Sequence, residues 1–448
     1  MNILFNQDRR PHRAARTPHH REHLIGCGLL LSLLLASPSV SEGFRNPPAG
    51  AFNLGRAGGR IAHVQDATAV THNPANLVAA TNYQAQAALG LVYMKVAHSS
   101  AAPGQSAQTE NPWKVLPAAY FATPVLDDKC VFGLGLTSPY GLSVDWNETG
   151  SSAFAAPAGA LRYTSPHYAE LMTLNLNPTV GIKLTESISV GVGLDIMWSR
   201  LTLKQFYPWA IFPGSGGVEP DGLLRGEGEG YGHGGNLGFT WKITPRQTVA
   251  LTYRSQMDVD FDGDTQLSNI TPTATAFGVT GRSLFASHLA FPNIVAIGYG
   301  LQVTDRLRLE TDVEWLQFSR FKRLPINIGN NNILLPATSQ SVQENWRDTF
   351  TIGIAGDYRL SDNWSVRGGY QYYQSPVPDS TFSTTIPDAN QNVLTVGLAY
   401  HSGAQAIELG YGADFYDRRN LVGNQNPAFD GKYKITVHLV SLSYQLAF

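Results

Sequence analysis

Four groups of residues have types and spacings that could do chemistry. Gly230-Tyr-Gly232-His-Gly-Gly235 fits the glycine pattern of a dinucleotide loop. Such a loop works by aiming a helix N-terminus at a pyrophosphate. Here the glycines open a segment of strand character, so no nucleotide and no other cofactor is expected. Asp258, Asp260, Asp262, Gly263 and Asp264 resemble the start of a calcium loop, but the twelfth position is Asn269 and not a bidentate Glu. Spacing by two puts these carboxylates on one face of a strand end, which reads as a solvated acidic rim with no metal. The histidines form no H-E-x-x-H, and no G-x-S-x-G elbow occurs. No catalytic residues are therefore assigned, and an enzyme is not the expectation. The fourth group is Arg306, Arg308, Glu310, Asp312 and Glu314, interleaved with Leu307, Leu309, Val313 and Trp315. Strand side chains alternate between two faces. The chemistry of this group is ion pairing, on a strand whose other face is apolar.

That alternation recurs. In Ile188-Ser-Val190-Gly-Val192-Gly-Leu194-Asp-Ile196-Met-Trp198 every even position is apolar. Around the turn at 360–363, Phe350, Ile352, Ile354 and Tyr358 oppose Thr349, Thr351 and Asp357, and Trp364, Val366 and Tyr370 oppose Ser365, Arg367 and Gln371. About fourteen such segments lie near 83–98, 112–125, 129–138, 167–183, 186–203, 231–244, 247–262, 289–304, 306–321, 344–360, 362–376, 390–401, 404–418 and 433–448. Connections alternate in length. Short turns include 127–128, 185–186, 244–246, 304–305, 361–362 and 402–403. Long loops lie near 99–111, 139–166, 204–230, 263–288, 322–343, 377–389 and 419–432.

An even count with this loop asymmetry is what an outer-membrane barrel shows. A basic residue facing lipid at mid-bilayer costs roughly 2–4 kcal/mol, so the charged row must face the lumen. Trp198, Trp315, Trp364, Tyr358, Tyr411 and Tyr444 supply aromatic girdles. The fold class is thus all-β, a transmembrane antiparallel barrel of about 14 strands. With 43% hydrophobic residues and no run of eighteen uncharged apolar ones, a spanning helix is not expected in the mature chain.

The N-terminus reads as a secretory signal over 1–41. Arg9, Arg10, Arg13, Arg16 and Arg21 precede an apolar stretch from Leu24 to Ala36, and Ser39 and Ser41 fit the positions before a cut at Glu42. Losing five arginines and two acids from 32 basic and 34 acidic residues leaves a formal charge of −5. Nothing in that balance points to nucleic acid. Cys27 leaves with the signal and Cys130 stands alone, so no intrachain disulfide is expected. Residues 42–82 are rich in small residues and weakly periodic. They read as an N-terminal hatch of turns and short helices, because Phe44, Phe52, Leu54, Ile61, Val64 and Leu77 need burial. Residues 83–448 form the barrel.

Ordered motifs carry a resemblance. Gly43-Phe44, Leu54-Gly55-Arg56-Ala57 and Asn73-Pro74-Ala75 come first, then Asn177-Pro178-Thr-Val180 and Leu251-Thr-Tyr253-Arg254-Ser255. Trp346-Arg347-Asp348-Thr349, Arg367-Gly-Gly-Tyr370, Gln374-Ser375-Pro376-Val377-Pro378-Asp379 and Ile386-Pro387-Asp388 follow. In these the chain resembles the FadL/TodX-type family of outer-membrane transporters for long-chain fatty acids and other hydrophobic compounds. The last strand, with Val440, Leu442, Tyr444, Leu446 and a terminal Phe448 on one parity, is similar to the signature read by the barrel-assembly machinery.

The resemblance implies passive uptake of a long-chain fatty acid or hydrophobic small molecule across an outer membrane of lipid and lipopolysaccharide. Substrate meets an apolar groove on the outer loops, enters a pocket above the hatch, and leaves through a gap where the third strand is kinked. Tyr207, Trp209, Ile211, Phe212, Leu223 and Leu224 form an apolar outer loop, joined by Phe154 and Leu161, and exposed apolar patches mark binding sites. Phe44 belongs to the pocket. Asn73, Pro74 and Ala75 gate from the hatch. Gly133, Gly135, Pro139 and Gly141 weaken the third strand, while Pro117 and Pro124 interrupt the second. Arg254, Arg308 and Arg367 share the inward parity, suited to a substrate carboxylate or to wall ion pairs with Glu310, Asp312, Glu314 or Asp357. Two rivals stay open, a barrel enzyme acting on lipids and a general porin.

Overall fold

The computed structural model describes residues 42–126, 129–335 and 341–448. The signal assigned to 1–41 and the turn at 127–128 lie outside the described residues.

Fourteen antiparallel strands close into a barrel. They are β1 (Gln84–Ser100), β2 (Trp113–Leu126), β3 (Cys130–Thr137, resuming as Gly141–Asp145), β4 (Tyr168–Lys183), β5 (Ile188–Tyr207), β6 (Gly222–Thr244) and β7 (Gln247–Arg254, then Met257–Leu267). β8 (Arg282–Phe291, then Ile294–Gln302), β9 (Leu307–Leu316), β10 (Thr349–Arg359), β11 (Trp364–Tyr373), β12 (Gln391–Ser402), β13 (Gln405–Tyr416) and β14 (Gly431–Ala447) complete the ring. Closure is the full-length pairing of β1 with β14, from Gln84↔Ala447 to Ser100↔Gly431. Each strand thereby has a neighbour on either side, which satisfies most of the backbone where lipid offers no partner. Among the described residues no helix is long and apolar enough to cross a membrane.

Facing follows parity. On β5, Val192, Leu194 and Ile196 are exposed while Asp195 and Met197 are buried. The row Glu310, Asp312 and Glu314 on β9 is buried, so it points into the bore. Short turns are pinned by hydroxyls: the Thr185 and Thr304 Oγ1 atoms accept backbone N–H groups two and three residues on.

Two expectations about loops change. β5 runs to Tyr207 and β6 starts at Gly222, so about half of 204–230 is strand, and Leu223 and Leu224 sit within β6. Likewise β7 reaches Leu267 and β8 begins at Arg282. These strands stand beyond the apolar belt, where the outward face carries Arg200, Lys204, Glu227 and Asp262. Apolar alternation ends there although the ladder continues.

Residues 42–82 contain short helices, Ala51–Leu54, Ala69–His72 and Pro74–Ala79, and one isolated bridge, Arg45↔Tyr140. This segment touches inward faces around the ring. Ala51 N–H donates to Ser443 on β14, Asn73 Nδ2 donates to Thr240 on β6, and Arg60 Nη2 donates to Glu314 on β9. A segment that reaches opposite walls lies inside them. Glycines on both sides make this close fit possible. A Cβ at Gly191 of the wall would lie 2.3 Å from the Pro74 carbonyl carbon, and one at Gly58 of the segment would lie 2.3 Å from the Tyr370 oxygen.

Candidate functional site

The site is built from the N-terminal segment and the strands that hold it. Three arginines of the segment meet the carboxylate row of β9. Arg56 pairs with Glu310 and Asp357, each at 2.9 Å. Arg60 pairs with Glu314 at 2.7 Å, and its backbone N–H donates to Asp312. Arg45 bridges Glu314 at 2.7 Å and Glu42 at 3.0 Å. The backbone N–H of Ala62 adds another bond to Glu310. The row faces the lumen as its parity required, and its partners come mainly from the segment. Charge-assisted bonds of this kind, buried on both sides, are strong and geometrically specific. The three arginines were visible in the sequence beside three acids at spacing two, a complementarity that strand-by-strand reading passed over.

Above this belt lies an aromatic pocket. Phe44 stacks on Trp346 with ring centroids 5.1 Å apart, and meets Phe291, Phe318 and Phe321 edge-on at 5.4–5.6 Å. Tyr140 packs on Phe291 at 4.5 Å. Beside the aromatic rings is a cavity of about 100 Å³, lined by Arg45, Arg60, Arg254, His72, Tyr140 and Tyr373 among others. Burial, helped by the nearby Arg60, holds His72 down at about 3, so it stays neutral at physiological pH. In the loop before β10, burial pushes the Glu344 carboxyl up to about 8, although Trp346 Nε1 donates to it at 2.9 Å. The cavity lining thus carries three ion-paired arginines, the Glu42 carboxyl and the rings of Tyr140 and Tyr373.

The third strand breaks at Ser138–Tyr140, between its two pieces. Gly133 and Gly135 do not sit at this bend. They lie in regular pairing with β4, where Val70 of the N-terminal segment takes the space a side chain would fill. Pro139 does sit at the bend. The backbone freed there is taken up by the N-terminal segment: Asn46 N–H donates to Pro139 O at 3.0 Å, Asn46 Nδ2 to Ser138 O at 2.8 Å, and Gly141 N–H to Phe44 O at 2.7 Å. The β2–β3 ladder stops at Ala119↔Leu136. Above it, Trp113–Ala118 of β2 pairs with β1 alone among the assigned registers. This seam is flanked by Leu116, Pro117 and Ser138 on the wall and by Pro47, Pro48 and Ala49 from the segment. Pro124 marks a separate register shift lower on β2.

The remaining sequence candidates are placed as follows. Asn73 caps the turn it begins, its side chain accepting from Ala75 N–H and donating to Ile61 O. Arg308 pairs with Asp357 at 2.9 Å, as its parity suggested. Arg254 and Arg367 take other partners, Asp195 at 2.6 Å and Glu408 at 2.7 Å. Arg254 also donates to the Thr71 carbonyl at 3.0 Å, tying wall to segment. Of the outer apolar residues Ile211 and Leu223 are exposed, while most of the others are turned inward. Trp209, Phe154 and Leu161 are fully buried and Phe212 nearly so, because they build the loops' own core: Trp209 Nε1 reaches Ser268 O and its ring packs on Tyr207 and Phe212. Exposed apolar surface nearby sits on Ile211 (78%), as expected, and on Phe277 (58%) and Leu284 (72%). Asp258 of the acidic rim pairs with Arg320 at 3.0 Å.

A family model described as "Outer membrane protein transport protein (OMPP1/FadL/TodX)" matches residues 32–448. The chain belongs to this family. FadL/TodX proteins are transporters or channels of the bacterial outer membrane, and this chain is one of them. Long-chain fatty acid transport protein of Salmonella typhi is 25% identical over 418 residues, 88% of this chain and 92% of its own length. The 47 kDa outer membrane protein of Pasteurella multocida is 24% identical over 451 residues, covering 96% and 100%. Among solved structures, a Pseudomonas aeruginosa FadL homologue superposes with a TM-score of 0.77 at 22% identity, over 91% of this chain and all of that one. The P. putida toluene transporter TodX gives 0.70 at 19%, over 90% and 99%.

Proposed function

We propose that this chain takes up a hydrophobic molecule bearing a carboxylate, a long-chain fatty acid by preference, without energy coupling and without altering it chemically. Ile211 and Phe277 collect the substrate at the outer loops. The Phe44 pocket receives its chain, and Arg254 with Arg45 receives its head. Residues 42–82 act as a hatch. The observation that carries this reading is that Phe44, Asn46 and the bend of β3 share hydrogen bonds. A substrate that displaces Phe44 withdraws the backbone that patches the wall, and the seam beside Leu116 opens toward the outer leaflet. The three arginines around the cavity favour a carboxylate over a neutral hydrocarbon. The barrel rests in lipid and lipopolysaccharide, and its last strand, ending at Phe448, serves the assembly machinery.

The test blocks the seam. Leu116→Cys in a Cys130→Ser background is reacted with a bulky maleimide and reconstituted into vesicles. Oleate uptake is expected to fall at least tenfold relative to unreacted protein. Full uptake after complete labelling overturns the lateral route. Arg254→Gln, in parallel, is expected to weaken apparent affinity for oleate and leave a neutral alkane unaffected.

A further inference from the structure

Between β6 and β7 the wall departs from a regular ladder, and the cause lies in the sequence. The two strands pair from Asn236↔Arg254 to Thr244↔Gln247, and again from Glu229↔Asp262 to Leu224↔Leu267. Between these registers, 230–235 of β6 faces a stretch of β7 that is one residue longer. Here the inward positions of β6 are Gly226, Gly228, Gly230, Gly232 and Gly234, while Glu227, Glu229, Tyr231 and His233 point outward. Interior glycines weaken a strand and mark the close approach of something to its backbone.

What approaches is the upper hairpin of β7 and β8, Met257 to Phe291. A Cβ at Gly230 would lie 2.0 Å from the Asp260 oxygen, one at Gly232 2.9 Å from Val259, and one at Gly226 2.7 Å from the Phe285 ring. The face the hairpin lays on these glycines is apolar and buried, with Val259, Phe261 and Phe285 at its centre. Its two strands break together, at 255–256 and 292–293. Asn293 knots that base: its Oδ1 accepts from Tyr253 Oη at 2.8 Å and Gln256 N–H at 2.9 Å, and its Nδ2 donates to Gln317 at 2.6 Å. One contiguous buried apolar cluster runs from Trp209 and Phe212 in the outer loop to Phe291 and Phe44 in the pocket. Leu201 and Leu203 of β5, paired with Gly228 and Gly226, lie in that cluster beside the bare backbone.

We propose that the glycine face of β6 is the track along which an extended hydrocarbon chain passes from the outer loops to the Phe44 pocket, and that the 257–291 hairpin is its cover, turning on the Asn293 knot. The proposal rests on the transport reading given above. Gly226 to Gly234 spans eight residues, roughly 27 Å at strand rise. That is long enough to hold an extended long-chain acyl group from end to end, and far more than one aromatic ring requires. Any side chain on this face would fill the slot when the cover lifts, and the flanking leucines keep it dry.

Two experiments in a Cys130→Ser parent decide it, both reading oleate uptake into vesicles. Gly232→Cys with Val259→Cys places two sulfurs where the cover touches the track. The oxidised double variant is expected to take up at least tenfold less than the same protein reduced with dithiothreitol, and oxidant leaves the parent's uptake unchanged. In a second pair, Phe285→Ala bares the outer end of the track and is expected to transport at least as fast as the parent. Gly226→Leu added to Phe285→Ala refills that space on the strand and is expected to cut uptake at least fivefold. Parental rates from both the locked protein and the refilled double variant overturn the track alone. A parent that carries no apolar substrate overturns the transport reading and the track with it.

Discussion

Glu314→Gln isolates the strength of the belt that holds residues 42–82 in the bore. Glu314 accepts from Arg45 Nη1 and Arg60 Nη2, both at 2.7 Å, and from Thr351 Oγ1 at 3.2 Å, and is 3% exposed. The amide keeps the shape and removes the charge, leaving two buried guanidiniums around a neutral group. Removing one partner of a buried pair costs roughly 3–5 kcal/mol. Arg45 keeps Glu42 and Arg60 keeps Gln371, so the lower end, about 3 kcal/mol, applies. At about 1.4 kcal/mol per factor of ten, the displaced fraction of the segment rises on the order of 10²-fold. The β9–β10 ladder that carries Glu314↔Thr351 is untouched, so barrel melting stays put. A cysteine at Val64, fully buried in the segment, reports the displaced fraction through its maleimide labelling rate in a Cys130→Ser background. Labelling about 100-fold faster in Glu314→Gln is the expected result. Replacing Arg60 and Glu314 together by Met is expected to return much of the loss, since an apolar pair of similar volume replaces a broken ion pair. An unchanged labelling rate in Glu314→Gln would refute the claim that these ion pairs hold the segment.

Three further outcomes follow from the same geometry. Burial raises the Glu344 carboxyl from 4.5 to about 8; the unfolded loop sheds its proton first, so docking of this loop weakens by about 1.4 kcal/mol per pH unit from 4.5 up to 8 and is level above that. Thermal melts across this range should show the slope, and Glu344→Gln should flatten it. Gly191→Ala puts a Cβ into the Pro74 carbonyl and is expected to loosen the segment by ~1–3 kcal/mol, seen as faster Val64→Cys labelling with the barrel still folded. Ile211→Ser with Phe277→Ser should reduce oleate capture several-fold at low concentration while leaving the melting temperature within a degree or two, because both side chains are exposed.

The barrel was legible because lipid outside and charge inside write opposite characters on alternate residues, as Leu307–Trp315 shows. That signal fades where the bilayer ends, which is why the upper parts of β5 to β8 read as loop. Trp209 and Phe154 read as an exposed groove because apolarity along a chain does not reveal whether a loop folds over its own side chains. The partners of Arg45, Arg56 and Arg60 lie some 250 or more positions away, so spacing alone does not pair them. Gly133 and Gly135 are identical in the sequence to glycines that bend a strand. Only the position of Val70 shows that they make room. The run Gly230 to Gly235 invited a nucleotide reading, and its packing role emerges only once β7 leans over it.

The arginine–carboxylate belt has a consequence for the permeability of the cell envelope. Arg56 and Arg60 tie residues 42–82 to Glu310 and Glu314, so on the lateral route proposed above a doorway at β3 would let grease leave without uncorking the pipe. On that route water-soluble toxins and small ions would gain no leak from the traffic, and a bacterium could keep many copies of such a protein and stay sealed.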